Sequence, residues 1–272
     1  MTAEIDRAAE WIGGADAVLV CAGAGMGVDS GLPDYRGDEG FWRAYPPYAR
    51  LGLSFAELAD PGHFGADPEL AWGFFGHRLD LYRNTVPHRG FGLLRGWHAS
   101  TRVFTSNVDG QFQRAGWPED HVGEVHGSIH HLQCFTGCSD RIWSADGIEV
   151  QVDPDTMRAH PPLPACPDCG GLARPNILMF DDFGWLPHRS DGPLEALTAW
   201  RRKHRDLVVV ELGAGQAVPT VRRYAELASA ATGKLIRINP REAEVRHGRG
   251  ISLPLPSLEA LSLIDSALTP AR

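Results

Sequence analysis

Short apolar runs rich in β-branched residues recur along the chain, and longer segments with helical periodicity separate them. The apolar runs are flanked by Gly, Asn or Pro, which is typical of strands buried in a parallel sheet. They are Ala17–Cys21, Arg102–Thr105, Leu207–Glu211 and Lys234–Ile238. The segments predicted as helices are Thr2–Ile12, Pro68–Asn84, Gly110–Ala115 and Val218–Ala231. This alternation predicts an α/β fold with a doubly wound, Rossmann-like parallel sheet.

Two segments interrupt the alternation. Residues from about Gln133 to Arg174 hold four of the five cysteines and little periodic apolar sequence, so we expect a small inserted module that burial alone cannot stabilise. Residues from Asp38 to about Pro68 are rich in Gly, Pro and aromatic residues and predict a mobile loop leading into a helical layer. The predicted division is a Rossmann-like domain of residues 1–40, 96–132 and 175–272, a cofactor loop and helical part of 41–95, and a zinc-binding module of 133–174.

Composition narrows the functional class. The 272 residues include 26 Lys and Arg against 34 Asp and Glu, a net charge of -8, which disfavours binding to a phosphate backbone. The amino terminus shows no basic start followed by an apolar stretch, and no apolar run reaches the roughly 18 residues of a membrane span. We therefore expect a cytoplasmic protein that binds neither nucleic acid nor membrane. The oligomeric state is not predicted.

Four cysteines occur as two close pairs separated by a longer loop, Cys134 with Cys138 and Cys166 with Cys169. This arrangement is typical of four thiolates that bind one tetrahedral zinc ion, each pair forming a turn around the metal. Two local disulfides or four inert thiols are the alternatives, and a reducing compartment disfavours the first. With four sulfur ligands the zinc has no open position for water, so we expect it to be structural.

A glycine-rich segment, Ala-Gly-Ala-Gly-Met-Gly, follows the first predicted strand at residues 22–27. Its backbone amides can approach a pyrophosphate because glycine has no Cβ. The glycine spacing of hydride-transferring Rossmann enzymes fails here, since the sixth position is Val28 or Ser30 in the two registers. A dehydrogenase is therefore disfavoured, and a glycine-rich turn without a ligand remains the alternative.

Longer motifs carry a resemblance to a known family. The glycine segment is followed by Ser-Gly-Leu-Pro-Asp-Tyr-Arg-Gly at 30–37, then Thr-Ser-Asn-Val-Asp-Gly at 105–110 and Glu-Val-His-Gly-Ser at 124–128. Arg-Pro-Asn-Ile-Leu-Met-Phe at 174–180, Glu-Leu-Gly-Ala-Gly at 211–215 and Ile-Asn at 238–239 come later. In this order the motifs resemble those of the sirtuins, NAD-consuming protein deacylases, over nearly the whole chain.

The resemblance implies a role for each matching position. His126 would be the general base and Asn107 would position the nicotinamide ribose. Leu32 and Asp109 would hold the nicotinamide carboxamide, and Asn239 would bind the adenosine ribose. The remaining cofactor positions would be Gly23, Ala24, Gly25, Asp34, Tyr35, Arg36, Ser106, Gly213, Ala214 and Gly215. The acyl-lysine backbone would pair with the segment containing Ile177, Met179 and Phe180, adding a strand to a sheet edge.

The implied reaction transfers the acyl group of a protein lysine to ADP-ribose and releases nicotinamide, so NAD is a consumed co-substrate. Breaking the nicotinamide bond builds positive charge on the ribose, and a base must take a ribose hydroxyl proton. A histidine that titrates near neutrality suits this task. By contrast, His130 and His131 are expected to be ordinary surface or core residues, and Cys21 a buried apolar one.

Departures from the family leave other functions open. Ser106 replaces a common glutamine, Gly27 replaces a serine, and Gly213–Gly215 replaces Gly-Thr-Ser at the cofactor phosphate. Parts of the chain also look similar to macrodomain-linked microbial sirtuins, which act as protein ADP-ribosyltransferases but usually lack the histidine found here at His126. A non-catalytic NAD or ADP-ribose sensor is a further alternative.

Acyl preference depends on two positions of one predicted helix, Phe75 and Arg78. Sirtuins that prefer acidic acyl groups have a Tyr and an Arg at this spacing, and the Phe removes the hydroxyl partner. Arg78 can pair with a carboxylate or can lie in an ordinary helix salt bridge. We expect acetyl-lysine hydrolysis with tolerance of acidic acyl groups.

Overall fold

A computed structural model describes residues 1–34, 37–245 and 249–268. Its larger sheet has six parallel strands in the order β3-β2-β1-β7-β8-β9. They are β1 (Ala17–Ala22), β2 (Thr101–Thr105), β3 (Val122–Glu124), β7 (Leu207–Leu212), β8 (Leu235–Ile238) and β9 (Ile251–Leu253). Every residue of β1, β7 and β8 is buried, which explains why their sequences are apolar except for Glu211 and Arg237.

Helices cover both faces of this sheet. On one face α1 (Thr2–Gly13), α7 (Gly90–Trp97) and α11 (Ser257–Leu268) share a core with the strands, and on the other lie α9 (His188–Lys203) and α10 (Thr220–Ser229). The predicted doubly wound α/β fold is therefore confirmed. No helix of the described residues is both long enough and apolar enough to span a bilayer.

A second, smaller region packs beside the sheet around its own apolar core. It contains an antiparallel sheet in the order β5-β4-β6, formed by Ile142–Ser144, Gly127–Cys134 and Ala173–Ile177. Both β4 and β6 run across the predicted limits of the zinc module at 133 and 174. Those limits remain a prediction.

The loop predicted for residues 38–68 is wrong. The segment forms four short helices, α2 (Gly37–Ala44), α3 (Pro46–Leu51), α4 (Phe55–Leu58) and α5 (Gly62–Ala66), followed by α6 (Pro68–Asn84) at its predicted bounds. The cause is aromatic packing: Phe41, Tyr45 and Tyr48 are fully or almost fully buried and contact the Phe74 ring of α6. Helix α8 (Gln111–Arg114), which follows β2, lies within the range predicted for it, Gly110–Ala115.

Candidate active site

Predicted site residues follow the carboxyl ends of the parallel strands. Gly23 follows β1, Ser106 follows β2, Gly213 follows β7 and His126 comes two residues after β3. Strand β1 lies between β2 and β7, so the order of the strands reverses there. Such a switch point opens a crevice at the carboxyl edge of a parallel sheet, which is where this fold binds ligands.

One cavity of about 780 Å³ occupies this crevice and extends between the two regions of the fold. The predicted residues that line it are Gly23, Ala24, Leu32, Asp34, Phe75, Arg78, Ser106, Asn107, Asp109, His126, Ile177, Met179, Phe180, Gly213, Ala214 and Gly215. Two predicted residues, Gly25 and Asn239, do not line it. Tyr35 and Arg36 lie outside the described residues.

Gly25 instead contacts the glycine turn that follows β7, on the side of that turn away from the cavity. The Gly25 N–H donates to the Gly213 carbonyl at 3.1 Å, and the Gly23 N–H donates to the Leu212 carbonyl at 2.9 Å. Gly213 has a φ of +59°, and a Cβ added there would lie 2.4 Å from the Gly25 Cα. The two turns therefore pack backbone against backbone, which requires glycine at both sides of the contact.

Asn239 is fully buried beneath the cavity. Its Nδ2 donates to the Ala214 carbonyl at 3.0 Å, and its Oδ1 accepts from the Glu242 N–H at 3.4 Å. Both Ala214 and Glu242 line the cavity, so in this structure Asn239 holds two parts of the wall. Its predicted contact with an adenosine ribose stays a prediction.

Asn107 is positioned by the ends of two strands. Its backbone N–H donates to the Thr105 hydroxyl at 3.0 Å, and its side-chain amide donates to the Gly23 carbonyl at 3.0 Å. The preceding residue, Ser106, donates its N–H to the Ala22 carbonyl at 3.3 Å. These bonds fix the carboxyl ends of β1 and β2 against each other at the cavity.

Asp109 is an acidic residue of the cavity wall with a shifted pKa. Burial raises its pKa to about 6, although the N–H of Gln111 and the positive charge of Arg78 oppose that shift. The Gln111 N–H donates to Oδ1 at 2.9 Å, which sets the orientation of the carboxyl group. Asp109 can therefore accept or donate a hydrogen bond near neutral pH.

His126 lies where β3 gives way to β4, with its ring lining the cavity. Burial lowers the pKa of the ring, against the opposing effect of a hydrogen bond to the Ser106 backbone. The lowered pKa favours the neutral ring, which can accept a proton. Its neighbour Glu124 is buried and pairs with Arg189 at 2.8 Å, so that carboxylate is held away from solvent.

An aromatic chamber surrounds Arg78 at one end of the cavity. The Arg78 guanidinium carbon lies 5.1 to 5.7 Å from the ring centroids of Phe55, Phe74, Phe75 and Tyr82. Its Nε donates to the Tyr82 hydroxyl at 3.1 Å. Tyr82, which also lines the cavity, was missed by the sequence analysis, although positions 75, 78 and 82 share one helix face.

The segment predicted to pair with substrate, Ile177–Phe180, has its N–H groups already engaged. Leu178 donates to the His126 carbonyl at 3.0 Å, and Phe180 donates to the Ala59 carbonyl at 2.9 Å. Met179 donates to the Asp182 carboxylate at 3.2 Å. An added strand would therefore have to use the carbonyls of this segment or displace these bonds.

A buried ion pair holds this segment in place. The Arg174 guanidinium donates to the Asp182 carboxylate, and the two side chains are 2% and 0% exposed. Arg174 also donates to the Ile177 carbonyl at 3.1 Å. The pair therefore connects the start of the motif at residues 174–180 to the turn that follows it.

The four clustered cysteines lie together away from the cavity. Their sulfurs are all within 4.8 Å of one another, with Cys134 and Cys169 at 3.8 Å and Cys138 and Cys166 at 3.6 Å. Four sulfurs about 2.3 Å from a tetrahedral zinc ion are about 3.8 Å apart, so the cluster fits that metal. The predicted zinc ligands are thus brought together, and none of the four cysteines lines the cavity.

Comparison with known proteins adds a family to this geometry. The sequence model of the Sir2 family matches residues 23–208. An NAD-dependent protein deacylase 1 of Pseudomonas aeruginosa is 32% identical over 256 residues, covering 93% of this chain and 94% of that protein. A probable bifunctional ADP-ribose hydrolase/ADP-ribosyltransferase of Fusarium oxysporum is 30% identical over 86% of this chain and 42% of its own length.

Solved structures agree with the family match. The complex of a Sir2 homologue with NAD is 26% identical, with a TM-score of 0.73, over 96% of this chain and 93% of that chain. Membership of one family explains three features together: the sequence motifs, the six-stranded parallel sheet and the cysteine cluster. This chain belongs to the Sir2 family.

Proposed function

We propose that this protein is an NAD-dependent protein-lysine deacylase, which cleaves NAD to nicotinamide and transfers the acyl group of a lysine to ADP-ribose. One observation carries the proposal: a single cavity joins the glycine turns, Asp109, His126 and the aromatic chamber around Arg78. A dinucleotide and an acyl-lysine side chain can therefore meet in the same cavity. The deacylase name of the relative from Pseudomonas aeruginosa supports the same activity.

In this proposal NAD enters as a substrate and its pyrophosphate lies against the packed turns of Gly23 and Gly213. The N–H groups of Gly23, Gly25 and Gly213 already donate to carbonyls, so other backbone amides of these turns would donate to the pyrophosphate. Asn107 faces the nicotinamide ribose, and Leu32 and Asp109 contact the carboxamide. The acyl oxygen then replaces nicotinamide on the ribose carbon. Each of these residues lines the cavity, which supports the assignment.

His126 is proposed as the general base. A base must be unprotonated before it can take the ribose hydroxyl proton, and burial lowers the pKa of this ring. The ribose oxygen then attacks the acyl carbon, the bond from that carbon to the lysine nitrogen breaks, and water adds to the acyl carbon, so that free lysine and acyl-ADP-ribose leave. A zinc ion held by the four cysteines would stabilise the small region, and none of these ligands lines the cavity.

Cellular setting and partners follow from the same residues. Four unoxidised cysteines as metal ligands suit a reducing compartment, so we infer the cytoplasm. The partners we propose are proteins with acylated lysines. Residues 1–40, 96–132 and 175–272 would form the NAD-binding domain, 41–95 the cofactor loop and helical part of the small domain, and 133–174 the zinc-binding module.

Protein ADP-ribosylation is the second candidate function. The relative from Fusarium oxysporum that carries an ADP-ribosyltransferase name favours it, as do the departures at Ser106 and at Gly213–Gly215. In that reaction the ADP-ribose moves to a protein and no lysine is deacylated.

The test is mass spectrometry of all products after incubation with NAD and an acetyl-lysine peptide, for the protein and for His126→Ala. We expect deacetylated peptide and acetyl-ADP-ribose, reduced at least a hundredfold in the variant because the base is lost. His121→Ala is the matched control, since this histidine lies in a surface turn outside the cavity lining and should retain full activity.

Two other outcomes would reject the deacylase. ADP-ribose on a protein with the peptide still acetylated would show the transferase. NAD binding without turnover in the unmodified protein would show a sensor.

A further inference from the structure

His130 connects the two sheets of the protein. Its backbone belongs to β4, where its carbonyl accepts the Ala145 N–H at 2.8 Å and its own N–H donates to the Ser128 hydroxyl at 3.3 Å. Its ring is half-buried and extends toward the turn that follows β2. The side chain therefore reaches from the small region into the turn that carries Asp109.

The contact itself is a single directed hydrogen bond. His130 Nε2 lies 2.9 Å from the Asp109 carbonyl oxygen. A carbonyl can only accept, so the proton is on Nε2 and this bond sets the tautomer. Burial also lowers the pKa of the ring, which keeps it neutral.

The turn is shaped to receive the ring. Gly110, directly after Asp109, has a φ of +68°, and a Cβ there would lie 2.7 Å from the His130 ring. Glycine therefore serves both the left-handed backbone and the close approach. On the other side, Gln111 donates its N–H to the Asp109 carboxyl and its Nε2 to the Tyr82 carbonyl at 3.2 Å.

We infer that His130 is a positioning residue for the nicotinamide end of the NAD site, holding the Asp109 backbone so that its carboxyl group meets the carboxamide. The inference rests on the proposed role of Asp109. His130 touches no reacting atom and is not among the residues that line the cavity. It acts through the carbonyl of Asp109, and it anchors that turn to β4.

The experiment compares binding of NAD and of ADP-ribose, by titration calorimetry, for three proteins: the unmodified chain, His130→Phe and His130→Gln. Phe keeps a planar ring in the space beside Gly110 but removes the donor, whereas the Gln amide can replace Nε2–H. We expect His130→Phe to weaken NAD binding about fivefold, as one lost hydrogen bond allows. ADP-ribose lacks nicotinamide, so its affinity should change less than twofold, and His130→Gln should recover most of the NAD affinity.

His131→Phe is the control on the same strand. Its ring Nδ1 has no hydrogen-bond partner within the part of the chain that the structure describes, so both affinities should be retained. Equal weakening of NAD and ADP-ribose in His130→Phe would mean general loss of structure and would overturn the inference. Unchanged NAD affinity would overturn it as well.

The result is independent of deacylation. If the protein binds NAD but leaves the peptide acetylated, the proposed function fails while the binding comparison still decides the role of His130. For an active protein, inhibition by free nicotinamide should weaken in His130→Phe, with the KM for peptide unchanged.

Discussion

The Arg237 guanidinium donates to both carboxylate oxygens of Glu211 at 2.8 Å, with the two side chains 1% and 0% exposed. The residues are direct partners on β8 and β7. Arg237 also donates to the Glu244 carbonyl at 2.6 Å and to Glu226 at 3.0 Å. This pair lies just below the Gly213 turn, so the charges that hold two strands together also support the cavity floor.

We expect Arg237→Met to lower the free energy of unfolding by about 3–5 kcal/mol, because Glu211 then loses both of its short hydrogen bonds and keeps only the Arg222 guanidinium at 3.8 Å. The double variant Arg237→Met with Glu211→Leu should be more stable than the single one, since the buried carboxylate is gone and Arg222 still pairs with Glu242. Urea unfolding at neutral pH measures both. A single variant as stable as the unmodified protein would contradict this account.

Asp109 should make the protein less stable at high pH than at low pH. Burial raises its pKa from 3.8 to about 6, so the folded state binds the proton more tightly than the unfolded state. Its contribution is present below pH 4 and is lost as the pH rises through 6. The shift corresponds to about 3 kcal/mol at most.

Asp109→Asn should therefore stabilise the protein at pH 8 and have little effect near pH 4, while NAD binding is lost. Melting temperatures at the two pH values test this, with Asp155→Asn at an exposed position as the control. An Asn variant that is less stable at pH 8 would show that burial of the charge does not govern this site.

Metal removal should unfold the small region and leave the large sheet folded. We expect one zinc ion per chain, lost in Cys138→Ala because three sulfurs cannot complete the tetrahedral site. Elemental analysis reports the metal, and a change in tryptophan fluorescence, to which Trp72 and Trp143 of the small core contribute, reports the unfolding. Cys21→Ala is the control. Cys21 is buried in β1, outside the cysteine cluster, so this variant should retain the metal.

Arg78 should select for acidic acyl groups. Its guanidinium lies inside the aromatic chamber, where a charge-assisted hydrogen bond to a carboxylate is strong. We expect Arg78→Met to reduce kcat/KM for a succinyl-lysine peptide about tenfold more than for an acetyl-lysine peptide. Equal losses on both peptides would rule out an acidic acyl pocket. Arg83→Met, on the same helix but outside the cavity lining, should not change the ratio.

Much of the fold was predictable because the central strands are short runs of mostly apolar, β-branched residues. Strands β3 and β9 were missed, since three residues give no periodicity. The helices of residues 37–66 were missed for another reason: Phe41, Tyr45 and Tyr48 have helical spacing, but Gly and Pro nearby suggested a loop. Local composition was outweighed there by burial of aromatic rings against α6.

The sequence motifs predicted most of the residues that line the cavity. They did not predict contacts between residues that are far apart in the chain. No pattern indicates that Asn239 faces Ala214, or that Gly25 packs under Gly213. The same limit applies to His130, which looked like an ordinary histidine because its partner is 21 residues away. Such relationships depend on how separate elements pack.

Strand β4 begins directly after His126 and ends at Cys134, so seven residues separate the proposed base from the first predicted metal ligand. At roughly 3.3 Å per residue the strand spans at most about 26 Å, and a one-residue deletion after its register shift between Ser128 and Leu132 would turn every following side chain to the opposite face. We therefore expect natural variation in chain length to be excluded from this strand and tolerated between Cys138 and Cys166. The spacing from histidine to cysteine should then be the same in related chains, while the loop between the cysteine pairs should differ in length.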